Sequence, residues 1–165
     1  MRWIELGAFT TVFRTHEGNI PEFNHQVYSD RETFTHFARF AKIYAAWKSY
    51  RMELVKEASE TGLPVLRHPF IHYPDDPEVS GLKYQFMVGP ELIVAPVLDP
   101  GEDSVEVYLP AGKWVNLWTG ERYGSPQRVV HETVPAPIGE PAVFYKDGSE
   151  RGTRFREELE RLGLL

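Results

Sequence analysis

Two observations predict the fold class, α/β followed by all-β. Over residues 1–90, two apolar runs, Phe9–Phe13 and Leu63–Ile71, flank a long helical pattern, which reads as a strand–helix–strand unit. From Leu92 onward, short apolar runs alternate with Pro and Gly turns, the texture of an antiparallel β-sandwich. The expected organisation is an α/β part over 1–90, an antiparallel β part over 91–150 and a closing helix over 151–165.

The elements follow in order. Residues 2–7 read as the tail of a helix, with Trp3 and Leu6 three apart and Gly7 to end it. Phe9–Phe13 reads as a strand of Thr, Val and Phe, and Glu17–Tyr28 as a loop rich in Gly, Asn and Pro. Ser29-Asp30-Arg31-Glu32 has capping-box spacing. Phe34, Phe37, Phe40, Tyr44 and Trp47 then recur at helical spacing, a stripe that reads as packing. The pattern runs to Gly62, too long for one ordinary helix, so a break is expected near Ser49-Tyr50. Leu63–Ile71 reads as a second buried strand, Tyr73–Pro77 as a turn and Leu82–Val88 as a short helix. Strands are expected at Leu92–Val97, Val105–Leu109, Trp114–Asn116, Arg128–Thr133 and Ala142–Tyr145, and a helix at Thr153–Leu164. Two parallel strands do not make a domain, since parallel strands are normally buried on both faces of a larger sheet. The first half therefore reads as lacking its neighbours.

Composition narrows the function classes. The chain has 165 residues, 42% of them hydrophobic, so a core can form. A formal net charge of −6 argues against a nucleic-acid partner, which needs a basic face. There is no cysteine, hence no disulfide framework and no thiolate nucleophile. No apolar run approaches the length of a membrane span, and the reading is of a chain without a membrane partner and with a cytoplasmic home.

The most informative stretch is Phe13-Arg14-Thr15-His16-Glu17-Gly18-Asn19, an apolar run that delivers Arg14, His16 and Glu17 at its end. Polar groups just past the end of a buried strand are where α/β barrels meet their ligands. A neutral imidazole at His16 both donates and accepts, which suits a pair of hydroxyls. Elsewhere, His68 and His72 lie four apart with Asp75 and Asp76 near, open to a metal or a catalytic-pair reading. Pro-flanked Asp residues in a turn are common for backbone reasons alone. Trp114 and Trp118 read either as core or as a carbohydrate platform, and Arg67 as a structural or a site residue.

The chain resembles glycoside hydrolase family 31, the retaining α-glycosidases, in its sulfoquinovosidase-like branch. The residues that carry this are Arg2-Trp3 to Ala8-Phe9, Phe13-Arg14-Thr15-His16-Glu17-Gly18-Asn19, His36-Phe37-Ala38-Arg39-Phe40, Gly62-Leu63-Pro64-Val65-Leu66-Arg67, Leu92-Ile93-Val94-Ala95-Pro96-Val97 and Gly112-Lys113-Trp114 through Gly120, in that order. The resemblance implies the last strand–helix–strand part of a (β/α)8 barrel followed by a C-terminal β-sandwich domain. It makes His16 the histidine that bonds hydroxyls of the bound sugar. Arg14 becomes an arginine that orients an active-site carboxylate or serves a structural ion pair. Glu17 stands where many α-glucosidase relatives carry Asn, and it would hold the loop or a distal hydroxyl.

Retention requires a nucleophile and an acid/base about 5–5.5 Å apart. In the family both are aspartates upstream of the Arg2-Trp3 segment. The resemblance therefore places no catalytic residue in this chain, calls for no cofactor or metal, and predicts inactivity alone. The expected partners are an α-linked sugar and the remainder of the barrel, or a second copy through self-association. Two other functions compete: a non-catalytic carbohydrate-binding or assembly module built on the sandwich, and a small complete enzyme using Asp75, Asp76 or Glu17.

Overall fold

The computed structural model describes all 165 residues. Its centre is a six-stranded antiparallel sheet built from β1 (Leu66–Arg67), β2 (Phe86–Val88), β3 (Leu92–Ala95), β5 (Trp114–Asn116), β6 (Arg122–Tyr123) and β8 (Ala142–Lys146), in the order β1-β2-β3-β8-β5-β6. A second, two-stranded sheet pairs β4 (Ser104–Leu109) with β7 (Val130–Pro135). The helices are α1 (Arg2–Ala8), α2 (Arg31–Ala46), α3 (Lys48–Thr61) and α4 (Glu150–Arg161).

The central sheet is buried on both faces, and its sequence explains why. Successive residues of a strand point to opposite faces. In β3, Leu92 and Val94 join a core of helix residues that includes Phe40, Ile43, Trp47, Leu54 and Phe155. Ile93 and Ala95 join a different core with Val107, Leu109 and Val134 of the two-stranded sheet. In β8, Val143 and Tyr145 face the helices while Ala142 and Phe144 face the small sheet. Such strands need apolar residues at every position, hence the unbroken runs Leu-Ile-Val-Ala and Ala-Val-Phe-Tyr. Each fully buried aliphatic or aromatic side chain contributes about 1.5–3 kcal/mol.

The antiparallel β part expected after Leu92 is present, with β6 as an additional short strand. The parallel strand–helix–strand unit is not: every strand pair is antiparallel. Of the Leu63–Ile71 strand only Leu66–Arg67 pairs, with β2, and Pro69–Ile71 is a 3-10 turn. The boundary expected at 90/91 falls inside the tight β2–β3 connection, so the sheet begins well before it. Leu82–Val88 forms no helix. The Gln85 amide bonds both backbone groups of Tyr108, at 2.6 and 3.0 Å, and Phe86–Val88 is drawn into the sheet.

Phe9–Phe13 forms no strand because its backbone bonds go to the end of α1 and to side chains of α2. Phe9 and Thr10 N–H groups extend the last turn of α1, bonding Leu6 O and Gly7 O at 3.1 Å. The Ala8 carbonyl accepts from Trp47 Nε1 at 2.9 Å, and the Thr11 carbonyl from the Tyr44 hydroxyl at 2.8 Å. No neighbouring strand is needed.

The long helical pattern breaks at Trp47, slightly before the expected Ser49-Tyr50. The break frees the Tyr44 carbonyl, which accepts from Arg51 NH1 at 2.7 Å, and the guanidinium stacks over the rings of Tyr44 and Trp47. The N-cap of α2 is Asp30 rather than Ser29. Its carboxylate accepts both the N–H and the hydroxyl of Thr33, at 2.8 and 2.7 Å. Gly62 ends α3 in the left-handed conformation, as its position predicts.

Helix α4 lies against β8 with Gly152 at the closest approach. A Cβ there would fall 2.4–2.5 Å from three atoms of Tyr145. Gly152→Ala raises intrinsic helix propensity by about 1 kcal/mol but overpacks this contact. We expect a net loss of about 1–3 kcal/mol, read from urea denaturation. A variant as stable as the parent contradicts the packing described.

Candidate functional site

Arg14, His16 and Glu17 lie in one irregular, exposed segment that continues from α1. The structure holds the base of this segment tightly and leaves its tip free. Trp47 and Tyr44 of α2 clamp the carbonyls of Ala8 and Thr11. Phe13 stacks on Phe37 at 5.1 Å and packs on Tyr44 at 5.5 Å, and the Arg51 guanidinium lies over the Tyr44 ring, 3.7 Å from its centroid. The stripe that the sequence marks as packing therefore also aims the segment. Its spacing shows which face is apolar, but nothing in it shows which hydroxyl or indole N–H meets a carbonyl far along the chain.

Past Phe13 the side chains of Arg14, His16 and Glu17 make no bond to a distant part of the chain. His16 Nδ1 lies 2.6 Å from Glu17 O. A carbonyl only accepts, so Nδ1 is the donor, and Nε2 has no protein partner. Arg14 and Glu17 form no ion pair or side-chain hydrogen bond with the rest of the chain. The three residues share the segment but line none of the five main clefts, which lie elsewhere.

The other candidates resolve into structural roles. His68 donates from Nε2 to Leu82 O at 2.9 Å and accepts the Phe70 N–H at Nδ1. His72 Nε2 accepts from Arg67 NH1 at 3.2 Å, so both histidines are committed to protein bonds. Arg67 is buried and ties three parts together through Pro64 O, His72 and the Glu57 carboxylate. Asp76 accepts from the Tyr108 hydroxyl at 2.5 Å and from the Glu78 N–H at 2.9 Å, which fits a turn-forming role rather than catalysis. Trp114 and Trp118 are buried core residues, with indole N–H groups bonded to Pro110 O and Pro141 O.

A feature that sequence reasoning passes over is the Arg2–Glu5 pair of α1. Arg2 donates to the Ala136, Pro137 and Glu102 carbonyls. The buried Glu5 carboxylate accepts the Gly139 N–H at 2.7 Å and Arg2 NH1 at 3.0 Å. His36 Nε2 lies 3.4 Å from Glu5 Oε1 without a directed bond. This cluster fastens the first helix, and hence the segment it leads into, to the β part. The i, i+3 spacing of Arg2 and Glu5 is visible in the sequence; their partners 100 and more residues away are not.

The sequence profile of the glycosyl hydrolase family 31 C-terminal domain matches residues 62–149. The chain belongs to glycosyl hydrolase family 31. The sulfoquinovosidase of Agrobacterium fabrum is 43% identical over 164 residues, 99% of this chain and 24% of that one. The sulfoquinovosidase of Escherichia coli K12 is 44% identical over 155 residues, 94% of this chain and 22% of that one. A solved family 31 sulfoquinovosidase from E. rectale, in complex with the aza-sugar inhibitor IFGSQ, matches with a TM-score of 0.90 at 38% identity, over 97% of this chain and 23% of that chain. The family 31 chain thus spans about a quarter of the length of these relatives, and its antiparallel β part agrees with the family's C-terminal domain.

Two outcomes test this geometry. Tyr44→Phe removes the hydroxyl on Thr11 O and is expected to cost about 1 kcal/mol, with faster tryptic cleavage after Arg14; an unchanged cleavage rate contradicts the clamping role. Burial, aided by the Arg67 charge, lowers the His72 pKa, and burial also lowers that of His36. An unfolded histidine titrates near 6.5 (about the free value). Above that both states are neutral and stability is full. As pH falls below it the unfolded chain binds protons that the folded chain does not, so stability is lost. Asp30, held at about 2 by the Thr33 N–H, adds its own loss only at lower pH. Unfolding free energy is expected to drop between about pH 6.5 and 5. His72→Gln, which keeps an acceptor for Arg67, should flatten the slope, and a slope unchanged in this variant contradicts the assignment.

Proposed function

We propose that these residues serve a retaining α-glycosidase, acting on α-glucosides or α-sulfoquinovosides, as the C-terminal part of its fold and one wall of its sugar site. His16 contacts sugar hydroxyls through Nε2, with Arg14 and Glu17 beside it. The nucleophile and the acid/base come from a barrel segment outside these 165 residues, on the same polypeptide or on a partner chain, and the 165 residues alone are inactive. The observation that carries this reading is similarity to sulfoquinovosidases along almost the whole chain, over only about a quarter of their length. The unpartnered Nε2 of His16 supports it, because a segment gripped at its base with polar side chains unpaired at its tip is suited to a ligand. Exposed apolar side chains in the same region, including Trp3, Phe23, Tyr28 and Phe34, support a contact with that barrel segment.

The test is an assay of the purified chain on nitrophenyl α-glucoside and α-sulfoquinovoside. No turnover is expected, with light scattering showing self-association. Clear turnover by the 165 residues contradicts the assignment of the chemistry to another segment, and a sharp monomer peak contradicts the open apolar contact. In the complete enzyme, His16→Ala is expected to lower kcat/KM by at least about tenfold, the equivalent of about 1.4 kcal/mol of lost transition-state binding; no change removes His16 from the site.

A further inference from the structure

A cleft of about 360 Å³ opens on the β part between residues 81–85, the end of β3 and the strands β4 and β7. It is lined by none of Arg14, His16 and Glu17. Its floor is rigid. Tyr108 is held through its backbone by the buried Gln85 amide, through its hydroxyl by Asp76, and edge-on against its ring by His131 at 5.7 Å. His131 is in turn fixed by Glu78 at 2.9 Å and lies 3.7 Å from Glu106. Burial and the Asp76 contact keep the Tyr108 phenol in its neutral form.

The wall differs in character from the floor. Tyr84 is 68% exposed and Leu98 54%, so an aromatic and an aliphatic residue face solvent beside the cleft. Lys83, Asp99 and Glu106 add charged side chains to the lining. Of these, two are carboxylates against a single ammonium, and the nearby Glu78 and Asp76 deepen the negative charge. An anion would be repelled. A ligand rich in hydroxyl donors, uncharged, and with one apolar face would be matched: its hydroxyls donate to the carboxylates, and its C–H face packs on the negative face of the Tyr84 ring. A pyranose ring has this chemistry, and the volume lies within the range of small-ligand sites.

We propose that this cleft is a second carbohydrate site, selective for neutral sugars, with Tyr84 as the stacking platform and Asp99 and Glu106 as hydroxyl acceptors. It is independent of the site reading at His16. It also moves the carbohydrate-platform role away from Trp114 and Trp118, which are core, to an aromatic residue that solvent reaches.

The test is a two-dimensional NMR titration of the 165-residue chain with maltotriose, and with glucose 6-sulfate as the anionic control. Maltotriose is expected to shift the amides around Lys83, Tyr84, Leu98 and Asp99 with a Kd on the order of 1 mM, and glucose 6-sulfate to bind distinctly more weakly. Tyr84→Phe should retain binding, and Tyr84→Ala should weaken it by at least about fivefold while leaving the remaining amide shifts in place. His16→Ala should leave this titration unchanged, so the outcome is separate from that of the glycosidase reading. No shifts with maltotriose, binding of glucose 6-sulfate as tight or tighter, or binding indifferent to Tyr84→Ala would each overturn the proposal.

Discussion

The constraint on which the rest of the structure depends is the burial of the central sheet on both faces. An antiparallel sheet can leave one face to water, and this one does not. Leu92, Val94, Val143 and Tyr145 are covered by helices from both ends of the chain; Ile93, Ala95, Ala142 and Phe144 are covered by β4 and β7. The helices share one apolar core with this face of the sheet, and the two-stranded sheet is too small to be stable by itself. Each outer layer therefore requires the middle one. The short interlayer contacts follow: Gly152 brings α4 onto Tyr145, and a Cβ at Gly89 would meet the Tyr50 hydroxyl at 2.3 Å.

The candidate sugar-binding segment inherits its position from this arrangement. Residues 9–17 make no ladder of their own. They are placed by α2, through Tyr44, Trp47 and Phe37, and by α1, through Arg2 and Glu5, and both helices are placed by the sheet. Rigid support below a free polar tip is what a binding residue needs, because side chains that must meet a ligand cannot also be paired within the protein. Arg67 shows the opposite disposition: fully bonded to Pro64, His72 and Glu57, it holds α3 to β1 and has little left to offer a ligand.

Much of this was legible in the sequence, for identifiable reasons. The runs Leu92–Ala95 and Ala142–Tyr145, bounded by Pro and Gly, announce buried strands, and Gly62 announces the end of a helix. Family membership followed from the order of motifs between Arg2 and Gly120. The misreadings share one cause: local pattern cannot show where a backbone finds its hydrogen bonds. Phe9–Phe13 has strand composition, but its Thr11 carbonyl and the Ala8 carbonyl just before it were claimed by Tyr44 and Trp47 from some thirty-odd positions away. Leu63–Ile71 looks like a long buried strand, but Pro69 stops the ladder after Arg67. Leu82–Val88 has apolar spacing compatible with a helix, yet the Gln85–Tyr108 clamp and the β3 edge make it extended. Burial of Trp114, a strand residue of β5, agrees with the core reading, whereas the exposure of Tyr84, two residues before β2, was beyond pattern.

The central claim is that helices and sheets form one unit, with the 9–17 segment held as its consequence. Native-state hydrogen exchange of the 165-residue chain in low denaturant tests it most directly. Amides of Val94 in β3, Phe144 in β8 and Ile43 in α2 are predicted to exchange through one common opening, with the same free energy and the same denaturant dependence. A separate, lower-energy opening for Ile43, with the sheet amides still protected, would contradict the claim and detach the candidate site from the fold that is said to hold it.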